Sequence, residues 1–279
     1  MKRTIKATAC VALVLMVGCV CVALTCGCSF LNTNDRSLVG DLTAKQTDNG
    51  IYFYLNEWGY CETLLYQADT RSLQLVDGES TVQPTRQIVL QGRTTAHDRV
   101  EAAEGYEQLM DKVLAFTIYG VEYPIYQTIA YKDGDEIYGF CNLYTRSGFF
   151  TDALDCRGID RGVLFTYDER TDTLTVVDEL YSCLVVAFDG KHVIWTADKT
   201  FYAKQLGSSA VVPICTDYAY DDGPSGYSNA VIYSGQGYCV IYFHVDKVYP
   251  LRPWKNIYYN AYVLVTMDGT PLATLGCEQ

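Results

Sequence analysis

The stretch from Leu164 to Val177 reads LFTYDERTDTLTVV and contains the pattern that decides the fold. An apolar run comes first, an aspartate then opens a polar turn, and a second run alternates apolar with polar residues. Alternation with a period of two is typical of a strand with one buried face, and Asp favours turns because its side chain hydrogen-bonds to nearby backbone. The stretch therefore predicts a β-hairpin.

Two further segments repeat this pattern. Leu65–Val76 reads LYQADTRSLQLV, with a turn two residues shorter, and Val263–Leu272 reads VLVTMDGTPL. The aspartates that open the three turns, Asp69, Asp168 and Asp268, lie nearly a hundred residues apart. This spacing is compatible with two β-units of about fifty residues in each interval.

Short runs rich in Tyr, Val, Ile, Phe and Thr continue through the chain from Gly50 onward, as expected of β-strands. The clearest are Ile51–Leu55, Glu136–Phe140, Leu184–Phe188, His192–Thr196 and Val240–His244. Asp-Gly turn signals follow or precede such runs at Asp133-Gly134, Asp189-Gly190 and Asp268-Gly269. These features predict an all-β, mainly antiparallel fold.

One segment departs from the strand rhythm. Thr95 is suited to cap a helix, because an acidic residue, Asp98, follows three positions later. Apolar residues then recur at helical spacing, namely Val100, Ala103, Tyr106, Met110 and Val113. The pattern predicts a single inserted helix from Thr95 to Leu114.

The three hairpins, with the Ile51-Tyr52-Phe53 run that precedes the first of them, resemble the blades of propeller-type lipoproteins from Gram-positive bacteria. The resemblance implies a β-propeller-like fold, in which small sheets close into a ring and leave few exposed edges. The residues themselves leave a second architecture open, since such hairpins also occur in a β-sandwich or an irregular meander.

The first residues predict export from the cytoplasm. Three cationic residues, Lys2, Arg3 and Lys6, precede an apolar run that extends to Leu24, and no acidic residue occurs before Asp35. A short cationic stretch followed by an apolar stretch is the form of a secretion signal. The run is also long enough to cross a bilayer as a helix, so a single N-terminal transmembrane anchor is the alternative.

A cysteine motif ends this leader. Residues 23–29 read ALTCGCS and resemble the lipobox of bacterial lipoproteins, in which the cysteine that follows small residues is acylated. The resemblance implies lipid attachment at Cys28, with Cys19 as the alternative, and places the protein at the extracytoplasmic face of the bacterial cell membrane. The resulting division is a leader (1–28), a polar tether (29–49) and a single β-rich domain (50–279).

The exported part is strongly acidic. The chain has 21 basic and 33 acidic side chains, and removal of the leader takes away three basic ones, which leaves 18 against 33 and a net charge of −15. Nucleic acid and anionic lipid would both be repelled. We therefore expect no nucleic acid as a partner, and instead a membrane reached through the anchor and a glycan or envelope protein.

Seven cysteines follow the leader: Cys61, Cys141, Cys156, Cys183, Cys215, Cys239 and Cys277. An odd number without close spacing is a poor match to a disulfide framework. Several lie in apolar runs, where a free cysteine packs as a small apolar residue. Most are therefore expected to be buried thiols.

The exported sequence contains no HExxH, no Walker-type phosphate loop, no CxxC pair and no GxSxG motif. The three histidines, His97, His192 and His244, have no triad or metal spacing, so each is expected to be a surface or satisfied residue. No cofactor and no metal site is predicted. A pair of carboxylates brought together by the fold could still hydrolyse carbohydrate, which is the alternative function.

Tyrosine is the most informative residue type, with 24 copies in the chain. Aromatic residues in predicted turns can stack on sugars or contact protein partners at low entropic cost. The ligand-binding candidates are Trp58, Tyr60, Tyr218, Tyr220, Asp221, Asp222, Tyr227 and Trp254. The sequence thus favours a non-enzymatic, membrane-anchored binding or interaction protein whose ligand is a glycan, a peptide or an envelope protein.

Overall fold

The computed structural model describes residues 39–57, 60–76, 87–91, 101–102, 105–114, 125–144, 159–197, 200–214, 226–247 and 257–278. Within these ranges it contains eighteen strands and one helix. The strands are β1 (Val39–Thr47), β2 (Gly50–Glu57), β3 (Tyr60–Gln67), β4 (Ser72–Leu75), β5 (Gln87–Gln91), β6 (Glu101–Ala102), β7 (Ile125–Asp133), β8 (Glu136–Tyr144), β9 (Ile159–Asp168), β10 (Thr173–Tyr181), β11 (Leu184–Phe188), β12 (His192–Ala197), β13 (Thr200–Gln205), β14 (Val212–Ile214), β15 (Gly226–Gly235), β16 (Tyr238–Lys247), β17 (Ile257–Thr266) and β18 (Pro271–Glu278). The helix, α1 (Glu107–Leu114), lies between β6 and β7 in the chain. The all-β, mainly antiparallel class with one inserted helix is therefore confirmed.

Most of the strands form four antiparallel meanders, in which each strand pairs with the next one along the chain. Meander 1 is β1–β4, meander 2 is β7–β10, meander 3 is β11–β14 and meander 4 is β15–β18. The three hairpins that the sequence repeats are β3–β4, β9–β10 and β17–β18. Each is the last strand pair of its meander, so the repeated sequence corresponds to one structural position.

A parallel pair of strands joins two of the meanders. β1 pairs with β15, so meanders 1 and 4 form one eight-stranded sheet in the order β18-β17-β16-β15-β1-β2-β3-β4. Its edge strands, β4 and β18, lie against each other, so the sheet curls into a nearly closed ring. Meander 2 shares a six-stranded sheet with β5 and β6, and meander 3 forms a four-stranded sheet. Each meander has four strands, as a propeller blade does. Separate blades would each form their own sheet, but the β1–β15 pair joins meanders 1 and 4 into one continuous sheet.

The inner face of the eight-stranded sheet encloses an apolar core to which its strands contribute alternate residues. Buried members of this core include Leu42, Phe53, Leu64, Leu73, Val231, Val240 and Leu264. Strand β11 is buried along its whole length because both of its faces are covered. Leu184 packs in a core with residues of β15–β17, and Val185 packs in a core with residues of meander 2.

Strand β1 lies within the segment that the sequence assigns to the polar tether, residues 29–49. The first four residues of β1 are buried, and a Cβ on Gly40 would lie 2.4 Å from Cδ1 of Tyr233. The expectation that the domain begins at residue 50 is therefore wrong, because β1 is an integral strand of the sheet. The sequence does not predict this strand because it contains Gly40 and the buried Asp41, and neither residue type is common in strand interiors.

Helix α1 is shorter than the sequence predicts. The expected start, Thr95, lies outside the described residues, but Glu101–Ala102 form β6 and the helix begins only at Glu107. Gly105 has a φ of +89°, a left-handed conformation that does not continue a helix, so the helix begins after it. Its apolar face is placed as predicted, with its side chains buried in the core of meander 2.

A buried asparagine connects the six-stranded sheet to meander 3. Asn142, on β8, donates from Nδ2 to the carbonyl oxygen of Val185 over 2.8 Å and accepts through Oδ1 from the Val185 backbone N–H over 2.9 Å. The amide thus takes the place of a neighbouring strand beside β11. Gly162 leaves room for this contact, since a Cβ there would lie 2.3 Å from Cγ2 of Val185.

The substitution Asn142→Ala should lower the free energy of unfolding by about 2–4 kcal/mol, because both backbone groups of Val185 lose a buried partner. Urea denaturation followed by tryptophan fluorescence measures the change. The control is Asn49→Ala in the exposed β1–β2 turn, for which a change below about 0.5 kcal/mol is expected. Equal effects of the two substitutions would contradict the role given to Asn142.

Candidate functional site

Most of the binding residues that the sequence predicts fall on segments that the structure does not describe. Outside the described residues are Trp58, Tyr218, Tyr220, Asp221, Asp222 and Trp254, and also Cys28 and Cys19 of the leader. The backbone of Tyr60 and Tyr227 is described, and it places them in strands β3 and β15 and not in the predicted turns. The strand ends that flank the candidates are described as well, and they locate the region of interest.

These flanking strand ends point in one direction along the eight-stranded sheet. β1 and β15 run parallel, and β2 and β16 run antiparallel to them, so the end of β2 and the beginning of β15 point in the same direction. They are staggered along the sheet, because Asp41 lies opposite both Asn56 of β2 and Ser234 of β15. The strand termini that point in this direction include Glu57, Tyr60, Gly226, Lys247 and Ile257, and we call the region that they define the loop end. Trp58 and Tyr227 are next in sequence to two of these termini, and Trp254 lies between two others.

The two ends of this sheet differ in how they connect the strands. At the end opposite the loop end, tight turns join β1 to β2, β3 to β4, β15 to β16 and β17 to β18. The longer connections, residues 215–225 and 248–256, lead to or from the loop end. Binding residues are concentrated on loops that a rigid scaffold positions, which makes the loop end the candidate site.

Three polar residue types are paired across neighbouring strands near the loop end. Strand pairing places Asn229, His244 and Asn260 opposite one another on β15, β16 and β17. Tyr242 and Tyr262, two residues further into the sheet, belong to the apolar core. The register thus places three hydrogen-bonding residue types side by side on adjacent strands, two residues along from members of the apolar core.

A tyrosine and a carboxylate meet across this core. The hydroxyl of Tyr262, on β17, donates to Oε2 of Glu62, on β3, over 2.7 Å, although β3 and β17 are not neighbouring strands. The Tyr262 ring is buried and its centroid lies 4.9 Å from that of Tyr242. Burial raises the pKa of Tyr262, and the hydrogen bond to Glu62 and the charge of that carboxylate raise it further. Tyr262 therefore stays protonated and serves as a donor to a partly exposed carboxylate.

His192 is satisfied by a neighbouring aspartate. Its Nδ1 lies 3.1 Å from Oδ2 of Asp189, whose Oδ1 accepts from the backbone N–H groups of Lys191 and His192 over 2.9 and 2.6 Å. Gly190, with a φ of +85°, completes the turn between β11 and β12. The pair stabilises a turn, in agreement with the expectation for this histidine; His97 lies outside the described residues.

A buried polar cluster has no counterpart among the sequence candidates. The hydroxyl groups of Tyr131, on β7, and Ser234, on β15, lie 3.2 Å apart and join meander 2 to meander 4. Ser234 is paired in register with Asp41 of β1, which is 3% exposed. Sequence reasoning missed the cluster because Asp41 lies in the expected tether and one serine within an apolar strand carries no functional signal.

The described cysteines are free thiols. Cys141, Cys183 and Cys239 are buried, and Cys61 is half-buried. Burial raises the pKa of Cys141 to about 12 and also raises the pKa of Cys239. The expectation of buried thiols is met at the first three positions. Outside the described residues lie Cys156, Cys215 and the side chain of Cys277.

Within the described ranges, no group of three or more His, Cys, Asp or Glu side chains is placed to hold a metal ion. The same part of the chain contains no helix with the length and apolar character needed to cross a membrane. Comparison of the chain with protein families and with curated proteins found no match. A function must therefore be argued from the residues and geometry of this chain.

The substitution Tyr262→Phe removes the hydroxyl that donates to Glu62. At neutral pH the variant should be less stable than the wild type by about 1.5–3 kcal/mol, the range for a hydrogen bond to a charged group. Folding raises the pKa of Tyr262, so its contribution is complete below the pKa of an unfolded tyrosine, about 10, and declines above it. The difference in stability should therefore narrow by about 1.4 kcal/mol per pH unit above that value.

Urea denaturation of both proteins over a series of pH values measures this difference. A difference that stays constant from neutral into strongly alkaline solution would contradict the Tyr262–Glu62 contact.

Proposed function

We propose that this protein is an extracytoplasmic binding or interaction protein that is anchored to the bacterial membrane by lipid on Cys28. Its ligand is a glycan, a peptide or another envelope protein, and the ligand is bound at the loop end of the eight-stranded sheet. In this proposal Trp58, Tyr60, Tyr227 and Trp254 provide the aromatic contacts.

The common direction of the flanking strand ends is the observation that carries the proposal. Glu57 and Tyr60 flank Trp58 in the chain, and β16 and β17 flank the segment that contains Trp254. Strands that are far apart in sequence thus lead to aromatic-bearing segments in one direction along a rigid sheet. Aromatic rings in such segments can stack on sugar rings or pack against a partner with little loss of side-chain entropy.

The residue types near the loop end suit a polar ligand. Asn229, His244 and Asn260 supply hydrogen-bonding types on three adjacent strands, and Glu62 supplies a partly exposed carboxylate. Specific ligand sites combine apolar and aromatic surface with a few polar groups that fix orientation. The net charge of −15 on the exported part disfavours an anionic ligand, so a neutral or cationic glycan or peptide is preferred.

Binding of the full-length chain, in mild detergent, to a glycan array and to envelope extract tests the aromatic contacts. Trp58→Ala and Trp254→Ala should each weaken binding by about tenfold or more, because buried aromatic anchors dominate such interfaces. The control is Val211→Ala, which truncates a side chain that is 47% exposed beside β14 and should leave binding unchanged. Unaltered binding in both tryptophan variants would exclude the loop end as the binding surface.

Growth of the expressing bacterium with a labelled fatty acid tests the anchor. The wild type should carry the label, and Cys28→Ser should lose it and leave the membrane, since the acyl chains supply the membrane affinity. Cys26→Ser changes a neighbouring cysteine of the same leader and should keep the label. Loss of label in Cys19→Ser but not in Cys28→Ser would move the attachment to Cys19. No label in the wild type would leave the leader as a transmembrane anchor.

A further inference from the structure

The outer edge of β10 is a surface separate from the loop end. β10 is the last strand of the six-stranded sheet; it pairs with β9 on one side, and no described strand pairs with its other side. Its nine residues make it the longest edge strand in the described part of the chain. Among the other edges, β4 and β18 lie against each other, β11 is buried, and β6 and β14 have only two and three residues. An open edge presents backbone groups that can pair with another chain.

Three large apolar side chains of β10 are exposed to solvent. Val176 is 42% exposed, Val177 is 39% exposed and Tyr181 is 65% exposed. Soluble proteins usually protect an edge strand with charged side chains, lysine above all, and β10 contains neither lysine nor arginine. Exposed apolar residues gathered on an open edge indicate an interaction surface.

We propose that β10 binds an extended, positively charged segment of a partner protein, which adds to the six-stranded sheet as a further strand. Backbone hydrogen bonds along the edge provide part of the affinity in this mode of recognition, and alternate side chains of the incoming strand provide selectivity. Val176, Val177 and Tyr181 supply apolar surface for those side chains.

The charges on β10 favour a cationic segment over a second copy of the chain. The charged residues of the strand are Asp178 and Glu179. Asp178 forms a salt bridge of 3.1 Å with Lys204, and Glu179 forms one of 3.1 Å with Arg161. Both acidic side chains are 31% exposed. Asp178 accepts through one oxygen from Lys204 and through the other from the backbone N–H of Glu179, and Glu179 accepts through Oε2 from Arg161 and the Tyr181 hydroxyl. The second oxygen of Glu179, Oε1, can accept a further hydrogen bond from lysine or arginine. A second copy would bring the same acidic strand and the same net charge of −12, which disfavours self-association.

A bulge restricts what can pair with β10. The register of β10 against β9 shifts between Val176 and Asp178, so Val177 is the extra residue. A bulge interrupts the row of available backbone groups and is one means by which proteins prevent indiscriminate edge-to-edge association. The partner therefore pairs with a short run of β10, and its side chains determine whether it binds.

The test uses the full-length chain in mild detergent and a synthetic peptide of about eight residues that alternates lysine with valine or tyrosine. One control peptide has glutamate in place of lysine, and a second carries N-methyl groups on alternate amides, which removes backbone donors. Calorimetric titration should detect binding of the lysine peptide and an affinity lower by about tenfold or more for each control.

Matched protein variants locate the binding surface. Val177→Lys places a cation on β10 and should weaken binding of the lysine peptide by about tenfold or more. Val212→Lys makes the same change at a similarly exposed position on β14, 40% against 39%, and should leave the affinity within about twofold.

Several results would overturn the proposal: no binding of the lysine peptide at about 1 mM, equal binding of the N-methylated peptide, or equal effects of the two lysine variants. A dimer in sedimentation that Val177→Lys abolishes would assign the edge to a second copy instead. Binding at β10 does not depend on Trp58 or Trp254, so their alanine variants should bind the lysine peptide normally. The loop-end proposal and the β10 proposal can therefore fail separately.

Discussion

The parallel pairing of β1 with β15 is the contact on which the rest of the structure depends. It joins a strand from the beginning of the domain to one near its end and merges meanders 1 and 4 into a single curled sheet. Parallel pairs are slightly weaker per residue than antiparallel ones, so this pair needs support from its surroundings. Burial of Val39, close packing of Gly40 on Tyr233 and the Ser234–Tyr131 hydrogen bond provide that support. This pairing also sets the direction of β2 and β3 relative to β15 and the stagger between meanders 1 and 4, in which Asp41 lies opposite both Asn56 and Ser234.

A small number of buried polar contacts fix how the sheets meet. Burial of apolar surface stabilises the cores but is not directional, whereas a hydrogen bond in a low-dielectric interior specifies one arrangement. Asn142 sets the position of meander 2 against meander 3, and Tyr131 with Ser234 sets meander 2 against meander 4. Tyr262 and Glu62 connect opposite walls of the eight-stranded sheet. Each of these three junctions thus contains a polar contact in addition to the apolar packing around it.

The two surfaces proposed for binding have different physical characters. The loop end combines aromatic-bearing connections with polar residue types on three strands, a composition suited to a ligand with hydroxyl or amide groups. The β10 edge offers backbone groups and apolar side chains, a composition suited to an extended chain. Both belong to the strongly acidic part of the chain that follows residue 28, so neutral or cationic partners are favoured at either surface. Binding at one surface does not require binding at the other.

The sequence by itself determined the strands, the three repeated hairpins and the burial of several thiols, because period-two alternation and turn residues act locally. It failed at β1 and at the start of α1, where Gly40, Asp41 and Gly105 have roles that only their neighbours reveal. The sequence identified aromatic residues as binding candidates, but it did not show in which direction along the sheet the strands beside them point. Tertiary structure alone decided the β1–β15 pairing, the curl of the sheet and the exposure of β10. The alternation of apolar and polar residues determines which face of a strand is buried. The identity of the neighbouring strand depends on contacts between residues that are far apart in the sequence.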